Sequence, residues 1–440
     1  MGKAHAAKPL QADNAIRRSQ FSLLQCAAPS IGAEKPAAGK IDVSNAGNCH
    51  VPRPVRITRD GILYAKSAQL LRFQWRGTGT SDQVQAMLLV EHISLPELTD
   101  MRLKLKPLNQ QVIVITGATS GIGLATARLA ARKGASLMLI ARDERALKKV
   151  ANELSARGTF VAYAGADVGD EVALKRAADA AVAHFGGFDT WVNNAGGSVY
   201  GFSEEVPLED QRKLFETNFW GVVHGSLIAV RHLKKRGGGA LINLGSELSD
   251  VAVPLQGSYV ASKHAVKGYT DTLRLELINE GAPVSVTLIK PAGIDTLFVQ
   301  HARNHLDVEP KLPPPVYAPD IVAKAILHAA TRPEREIYVG GASRGTVAFG
   351  RAAPDLFDRF MGKLGVAAQV TKEPKRNGDA LYKGTGSLLE RSGKNGPVLE
   401  SSLYTRARLN QRATAGVMLA GAAALLIASM AKRYVNQRCV

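Results

Sequence analysis

From Leu105 onward the chain alternates short apolar runs with longer amphipathic stretches, and this alternation restricts the possible folds more than any other feature. Val112-Ile113-Val114-Ile115 is a continuous apolar run bounded by polar residues, the pattern of a strand buried on both faces. Further runs at 136–140, 159–163, 189–192, 240–244, 284–290 and 337–339 alternate with helical patterns at 144–156, 170–185, about 208–235, about 258–280 and 319–331. Strands separated by helices of ten or more residues require crossover connections, and crossovers place parallel strands in one sheet with helices on both faces.

The first strand runs into Thr116-Gly117-Ala118-Thr119-Ser120-Gly121-Ile122-Gly123, followed by a helix through Arg132. Glycines between a buried strand and a helix let backbone N–H groups approach an anionic ligand at the positive helix end. Gly117 can turn where a side chain would clash, Gly121 permits close approach, and Gly123 lets the helix pack on the sheet. Further along, Tyr259 and Lys263 stand four residues apart within a helical pattern, on one face. An ammonium beside a phenol stabilises the phenolate, so the expectation is a lowered tyrosine pKa.

Together with Asp167-Val168, Asn193-Asn194-Ala195-Gly196, Asn218, Ser246 and Pro291-Ala292-Gly293-Ile294-Asp295-Thr296, these motifs resemble the short-chain dehydrogenase/reductase family in content and order, over about residues 105–340. The resemblance implies a Rossmann-like, doubly wound parallel sheet. It implies that Tyr259 exchanges a proton with a carbonyl or alcohol oxygen, that Ser246 holds that oxygen, and that Lys263 holds the nicotinamide ribose and lowers the phenol pKa. Asn218 would bind a water linking Lys263 to solvent. Asn218, Ser246, Tyr259 and Lys263 are thus the catalytic candidates, with Ser246 and Tyr259 also facing substrate.

For the dinucleotide, the resemblance implies contacts from Gly117, Thr119, Ser120, Gly121, Ile122 and Gly123 in the turn. It adds Asp167 and Val168 at the adenine, Asn194, Ala195 and Gly196 beside the cofactor, and Tyr259, Lys263, Pro291, Gly293 and Thr296 around the nicotinamide. Arg142 follows the second strand, where an acidic residue would bind ribose hydroxyls; its guanidinium suits a phosphate instead. NADP(H) is therefore expected ahead of NAD(H). The implied activity is hydride transfer between NADPH and a carbonyl or secondary alcohol of a small molecule, with Leu297 to Ala318, which carries Pro313-Pro314-Pro315, as the variable substrate lid. A dinucleotide-binding scaffold or redox sensor at a membrane, without turnover, is the alternative. His264 reads as structural, and Phe219 and Trp220 as core.

Outside residues 101–345 the reading changes. Residues 1–100 show little sustained periodicity and read as a largely disordered extension, with an isolated apolar element at Met87 to Val90. Residues 346–412 read as a basic linker with little order. The net charge of +18 is concentrated at the end: residues 351–440 carry 15 basic and 6 acidic residues. No aromatic interleaving accompanies that charge, so nucleic-acid binding is not expected. Residues 413–431 contain no charge and are bracketed by Arg406, Arg408 and Arg412 before and Lys432, Arg433 and Arg438 after. As a helix this stretch would span about 28 Å, close to the hydrocarbon thickness of ~30 Å. Membrane contact through it is expected, with the catalytic domain facing the cytoplasm; a cytoplasmic soluble protein is the alternative. Cys26, Cys49 and Cys439 form no disulfide or metal-ligand spacing, which suits a reducing compartment, and no metal site is expected. A homo-oligomer is the expected assembly.

Overall fold

The computed structural model describes residues 103–411 apart from Asn395, positions 414 and 416, and three strands nearer the N-terminus. It divides into two units, Met1–Arg102 and Leu103–Val440. In the first, Leu23–Ala27, Leu70–Arg76 and Met87–Ile93 form an antiparallel sheet with the Met87–Ile93 strand in the middle. A largely disordered extension was the expectation for these residues. The alternation Leu71-Arg72-Phe73-Gln74-Trp75-Arg76 has the period of two that a strand requires, but it extends over a single element amid unpatterned sequence.

The second unit is built on seven parallel strands: β1 Val112–Thr116, β2 Ser136–Ala141, β3 Val161–Gly165, β4 Thr190–Asn193, β5 Gly239–Leu244, β6 Val284–Pro291 and β7 Glu336–Val339. Their spatial order is 3-2-1-4-5-6-7. Ile113 pairs with Leu137 on one side and Thr190 on the other. Ile113, Val114 and Ile115 have no exposed surface, because helices cover both faces. On one face lie α1 Gly121–Arg132, α2 Glu144–Ser155 and α7 Pro319–Ala329. On the other lie α3 Glu171–Phe185, α5 Gly221–Arg236 and α6 Gly257–Asn279. Strand order reverses between β1 and β4, which opens a crevice at their carboxyl ends.

The single helix expected over about 208–235 is divided. Helix α4, Leu208–Phe215, passes through a π-helical turn, Glu216–Trp220, before α5 begins. The wider turn accommodates an extra residue and brings Asn218 to complete burial. Trp220, expected in the core, lies on the surface at 44% exposure, while Phe219 packs against the cluster of Val222, Val266 and Leu288.

A larger correction concerns residues 346–412. Helices α8, Gly341–Ala352, and α9, Pro354–Gln369, continue the fold, the strand Val370–Pro374 pairs with Val308–Pro310, and α10 spans Leu403–Leu409. In α9, Phe357, Phe360, Met361 and Leu364 repeat at helical spacing, a pattern obscured by the Lys, Gly, Asn and Ser that follow. Residues 375–400 contain little regular structure, yet ion pairs hold them down: Arg376 to Glu309 at 2.6 Å and Arg303 to Asp379 at 2.8 Å. Among the described residues no helix is long and apolar enough to cross a membrane; the 413–431 candidate lies outside the described residues, apart from positions 414 and 416.

Lys290, on β6, ties the sheet to the loop after β5. Fully buried, its ammonium donates to Asp250, Glu336 and the Tyr338 hydroxyl, each at 2.7 Å. Burial by itself would raise the Asp250 pKa, but Lys290 and the Tyr338 hydroxyl hold it below the usual carboxylate range. Burial likewise opposes the charge on Lys290, and its three acceptors outweigh that and raise its pKa. The network therefore stabilises the fold between these limits: it weakens as pH falls through the depressed Asp250 value and as pH rises through the elevated Lys290 value. Lys290→Met should cost about 3–5 kcal/mol in a urea titration, because it leaves Asp250 a buried charge without its main partner; an unchanged midpoint would contradict this account.

Candidate active site

The turn after β1 is shaped by contacts that leave no room for side chains. Gly117 has φ +67°, and Gly121 has φ +54°. A Cβ on Gly123 would lie 2.1 Å from the Gly117 carbonyl oxygen and 2.6 Å from Asn194 Nδ2. Asn194, directly after β4, braces this turn, donating from Nδ2 to the carbonyls of Thr116 at 2.8 Å and Gly117 at 3.3 Å. Thr116 Oγ1 in return accepts from the backbone N–H groups of Asn194 and Ala195. The N-cap residue of α1, Ser120, makes no side-chain cap, so its hydroxyl leaves the first-turn amides to other acceptors.

One groove carries most of the residues singled out in the sequence. Its first part is lined by Gly117, Thr119, Ser120, Gly121 and Ile122, with Arg142, Asp167, Val168, Asn194, Ala195, Gly196 and Thr296. Gly123 lies beneath the turn rather than on the surface of the groove, in the packing role expected of it. Asp167 is held by Lys213 at 2.9 Å and by the Gly169 amide at 3.0 Å. A bound dinucleotide fits this lining: the glycines permit close approach, and the uncapped helix end favours an anion.

No sequence signal pointed to the segment that crosses this groove. The Leu389 carbonyl accepts the Gly121 N–H at 2.9 Å, Glu390 pairs with Arg128 at 2.8 Å, and Ala380, Leu381, Gly384 and Thr385 line the groove. Arg142 donates to the carbonyls of Leu381, at 2.9 Å, and Ala380. The guanidinium expected to meet a phosphate is thus engaged by backbone of the C-terminal segment.

Ser246, Tyr259 and Lys263 come together where the groove widens, with Pro291 and Gly293 opposite, into a cavity of about 680 Å³. Ser246 caps a one-turn 3-10 helix, Glu247–Ser249, with its Oγ accepting the Leu248 N–H at 3.1 Å. Lys263 Nζ donates to the Leu244 carbonyl at 2.8 Å and sits 5.7 Å from the Tyr259 ring centre. Phe298 packs edge-on against that ring, with centres 5.3 Å apart. Burial pushes Tyr259 up to about 12, with the Ser246 hydroxyl pulling against the rise, and pushes Lys263 down to about 8. The lowered phenol pKa expected from the lysine is therefore not found: desolvation dominates for both groups, the Glu247 carboxylate adds to the rise of the phenol, and both groups shift toward their neutral forms. At neutral pH the phenol carries its proton.

Asn218 lies deeper. It accepts from the Gly197 N–H at 2.9 Å and donates to the Gly197 carbonyl at 3.0 Å and Ser262 Oγ at 3.1 Å. It thereby fixes the loop after β4. His264 points away, with Nδ1 3.0 Å from the Val260 carbonyl of its own helix. Among the described residues no group of His, Cys, Asp and Glu could hold a metal ion.

The cavity walls come from two sources. The expected lid supplies Phe298, Leu312 and Pro313 to Pro315; α8 and α9 supply Phe349, Phe357, Phe360, Met361 and Leu364. The helical contribution comes from residues whose composition suits a linker, and no motif in the sequence marks Glu247.

Parallel strands with a glycine turn at the switch point, and a tyrosine, lysine and serine at the mouth of an apolar cavity, define a nicotinamide-dependent oxidoreductase site. Comparisons with known proteins agree. Residues 111–307 match the family model described as short chain dehydrogenase. The chain is 44% identical over 321 residues to an uncharacterized oxidoreductase, YxnA, of Bacillus subtilis (strain 168), covering 72% of this chain and 90% of that one. It is 33% identical over 260 residues to 11-beta-hydroxysteroid dehydrogenase A of Arachis hypogaea, covering 56% and 73%. A short chain dehydrogenase/reductase from Burkholderia phymatum, crystallised in complex with NAD, superposes with a TM-score of 0.53 at 28% identity, over 57% of this chain and 96% of that one. The chain belongs to the short-chain dehydrogenase/reductase family, as an NAD(P)-dependent oxidoreductase.

Gly123→Ala should lower stability by about 1–3 kcal/mol through overpacking and weaken dinucleotide binding; calorimetric titration with each nicotinamide dinucleotide checks the second effect, and unchanged affinity would separate the turn from the cofactor.

Proposed function

We propose that this protein is an NADPH-dependent carbonyl reductase, or a dehydrogenase running the reverse reaction, for a bulky apolar ketone or secondary alcohol. The observation that carries this reading is the opening of the Ser246–Tyr259–Lys263 cluster into an apolar cavity of about 680 Å³ that shares Ile122, Asn194, Gly196 and Thr296 with the glycine-lined groove. The name of the Arachis hypogaea relative, a steroid dehydrogenase, supports a substrate of that size and polarity.

A bound nicotinamide supplies the hydride. Ser246 orients the carbonyl oxygen, and the Tyr259 phenol, protonated at neutral pH, donates its proton to that oxygen as charge develops on it. Lys263 lies close enough to stabilise the phenolate left behind, and the Leu244 carbonyl fixes its ammonium. Phe298 and the proline lid exclude water from the oxygen being protonated.

The NADPH preference rests on Arg142. A phosphate dianion is a stronger acceptor for a guanidinium than a backbone carbonyl, since both partners are charged, so the cofactor phosphate can replace Ala380 and Leu381 as its partner. Arg142→Ala should reduce the NADPH-to-NADH ratio of kcat/KM; an unchanged ratio would remove the basis for the preference.

Full-length protein is to be assayed for NADPH oxidation with cyclohexanone, 2-decalone and 4-cyclohexylcyclohexanone. The rate should rise with apolar bulk, and Tyr259→Phe should lower kcat by about 10²–10⁴ with cofactor affinity retained. If none is reduced while cofactor binds, a scaffold or sensor without turnover is the better reading. Reduction should hold up to about pH 8 and decline above it, where Lys263 loses its proton; a profile flat to pH 10 would contradict the role given to Lys263.

A further inference from the structure

Glu247 stands directly after Ser246, and the capped turn dictates where it goes. Leu248 and Ser249 are buried, while Glu247 is half-buried and lines the cavity, whose wall also includes Leu248, Val253, Phe349 and Phe357. Several buried acidic groups have ionic partners: Asp189 has Lys106 and Arg236, Asp210 has Arg303 and His305, Asp250 has Lys290, and Glu309 has Arg376. Glu247 has none: among the described residues no side chain donates to its carboxyl group. Burial alone pushes it up to about 7.

An isolated carboxyl group facing an apolar cavity is costly unless something that enters the cavity satisfies it. We propose that Glu247 is a specificity-determining residue that accepts a hydrogen bond from a hydroxyl, distinct from the carbonyl held by Ser246 and Tyr259, on an otherwise apolar substrate. This rests on the apolar-carbonyl reading above and adds a second polar group to the substrate it describes. A hydroxyl fits better than a cation, because Lys263 lines the same cavity and would repel one. A hydroxyl also finds an acceptor oxygen whether or not the carboxyl is protonated.

The test compares 4-cyclohexylcyclohexanone with its derivatives carrying one hydroxyl at the 2′, 3′ or 4′ position, in the full-length protein and in its Glu247→Leu and Glu247→Gln variants. At least one hydroxylated isomer should exceed the parent ketone in kcat/KM by about tenfold or more, as for a hydrogen bond to a charged acceptor. That ratio should fall toward one in Glu247→Leu and take an intermediate value in Glu247→Gln, which keeps an acceptor oxygen and the side-chain shape. A ratio that survives both substitutions, or no preference for any isomer, overturns the proposal and leaves the apolar-carbonyl reading standing. Should none of the four ketones be reduced, both readings fall together.

Discussion

The contact on which the rest of this structure depends is the one between the Gly117–Gly123 turn and Asn194. A β-carbon on Gly123 would stand 2.1 Å from the Gly117 carbonyl oxygen, a separation that van der Waals repulsion does not permit. The absence of that carbon lets α1 start close against β1 and β4, and Asn194 then fastens the turn to the neighbouring strand through the Thr116 and Gly117 carbonyls. Helix, strand and loop meet at the point where strand order reverses, so the crevice there is formed by backbone. Its walls can approach a ligand more closely than side chains would allow.

Burial governs the chemistry beside that crevice. A tyrosine and a lysine four residues apart on a solvated helix would titrate near their ordinary values, with the cation favouring the phenolate. Here both are enclosed, and desolvation acts oppositely on the two charges: the phenol rises to about 12 and the ammonium falls to about 8. The consequence is a proton donor that keeps its proton at neutral pH, next to a lysine whose charge is within reach of physiological titration.

The C-terminal residues have a larger part in the site than their composition suggests. Helices α8 and α9 form one side of the cavity. Beyond them, residues 380–390 cross the glycine-lined groove, occupying the Gly121 amide and the Arg142 guanidinium with carbonyl oxygens. Groups suited to bind phosphate are thereby already hydrogen-bonded, so a dinucleotide that uses them exchanges one set of acceptors for a more strongly charged one.

Short-range pattern determined a great deal by itself. The seven strands of the parallel sheet follow from continuous apolar runs, because a strand covered on both faces has no polar side to show. The glycine turn follows from its position between strand and helix, the helical spacing puts Tyr259 and Lys263 on one face, and the family resemblance added Ser246 to them. Other features depend on contacts distant in sequence and could not be read locally. The π-turn at Asn218 reflects packing against the loop containing Gly197. Order in residues 375–400 comes from ion pairs to Glu309 and Arg303, with no periodicity of its own. Arg142 was legible as a cation at the end of β2, but its engagement with Leu381, 239 positions away, was not. Glu247 resembled any charged residue in a polar stretch until the fold placed it in the lining of an apolar cavity. Local sequence determined the scaffold and the identity of the reacting groups, because periodicity and backbone freedom act over a few residues; tertiary structure decided their protonation, their cover and the shape of the cavity, because desolvation and packing depend on everything folded around them.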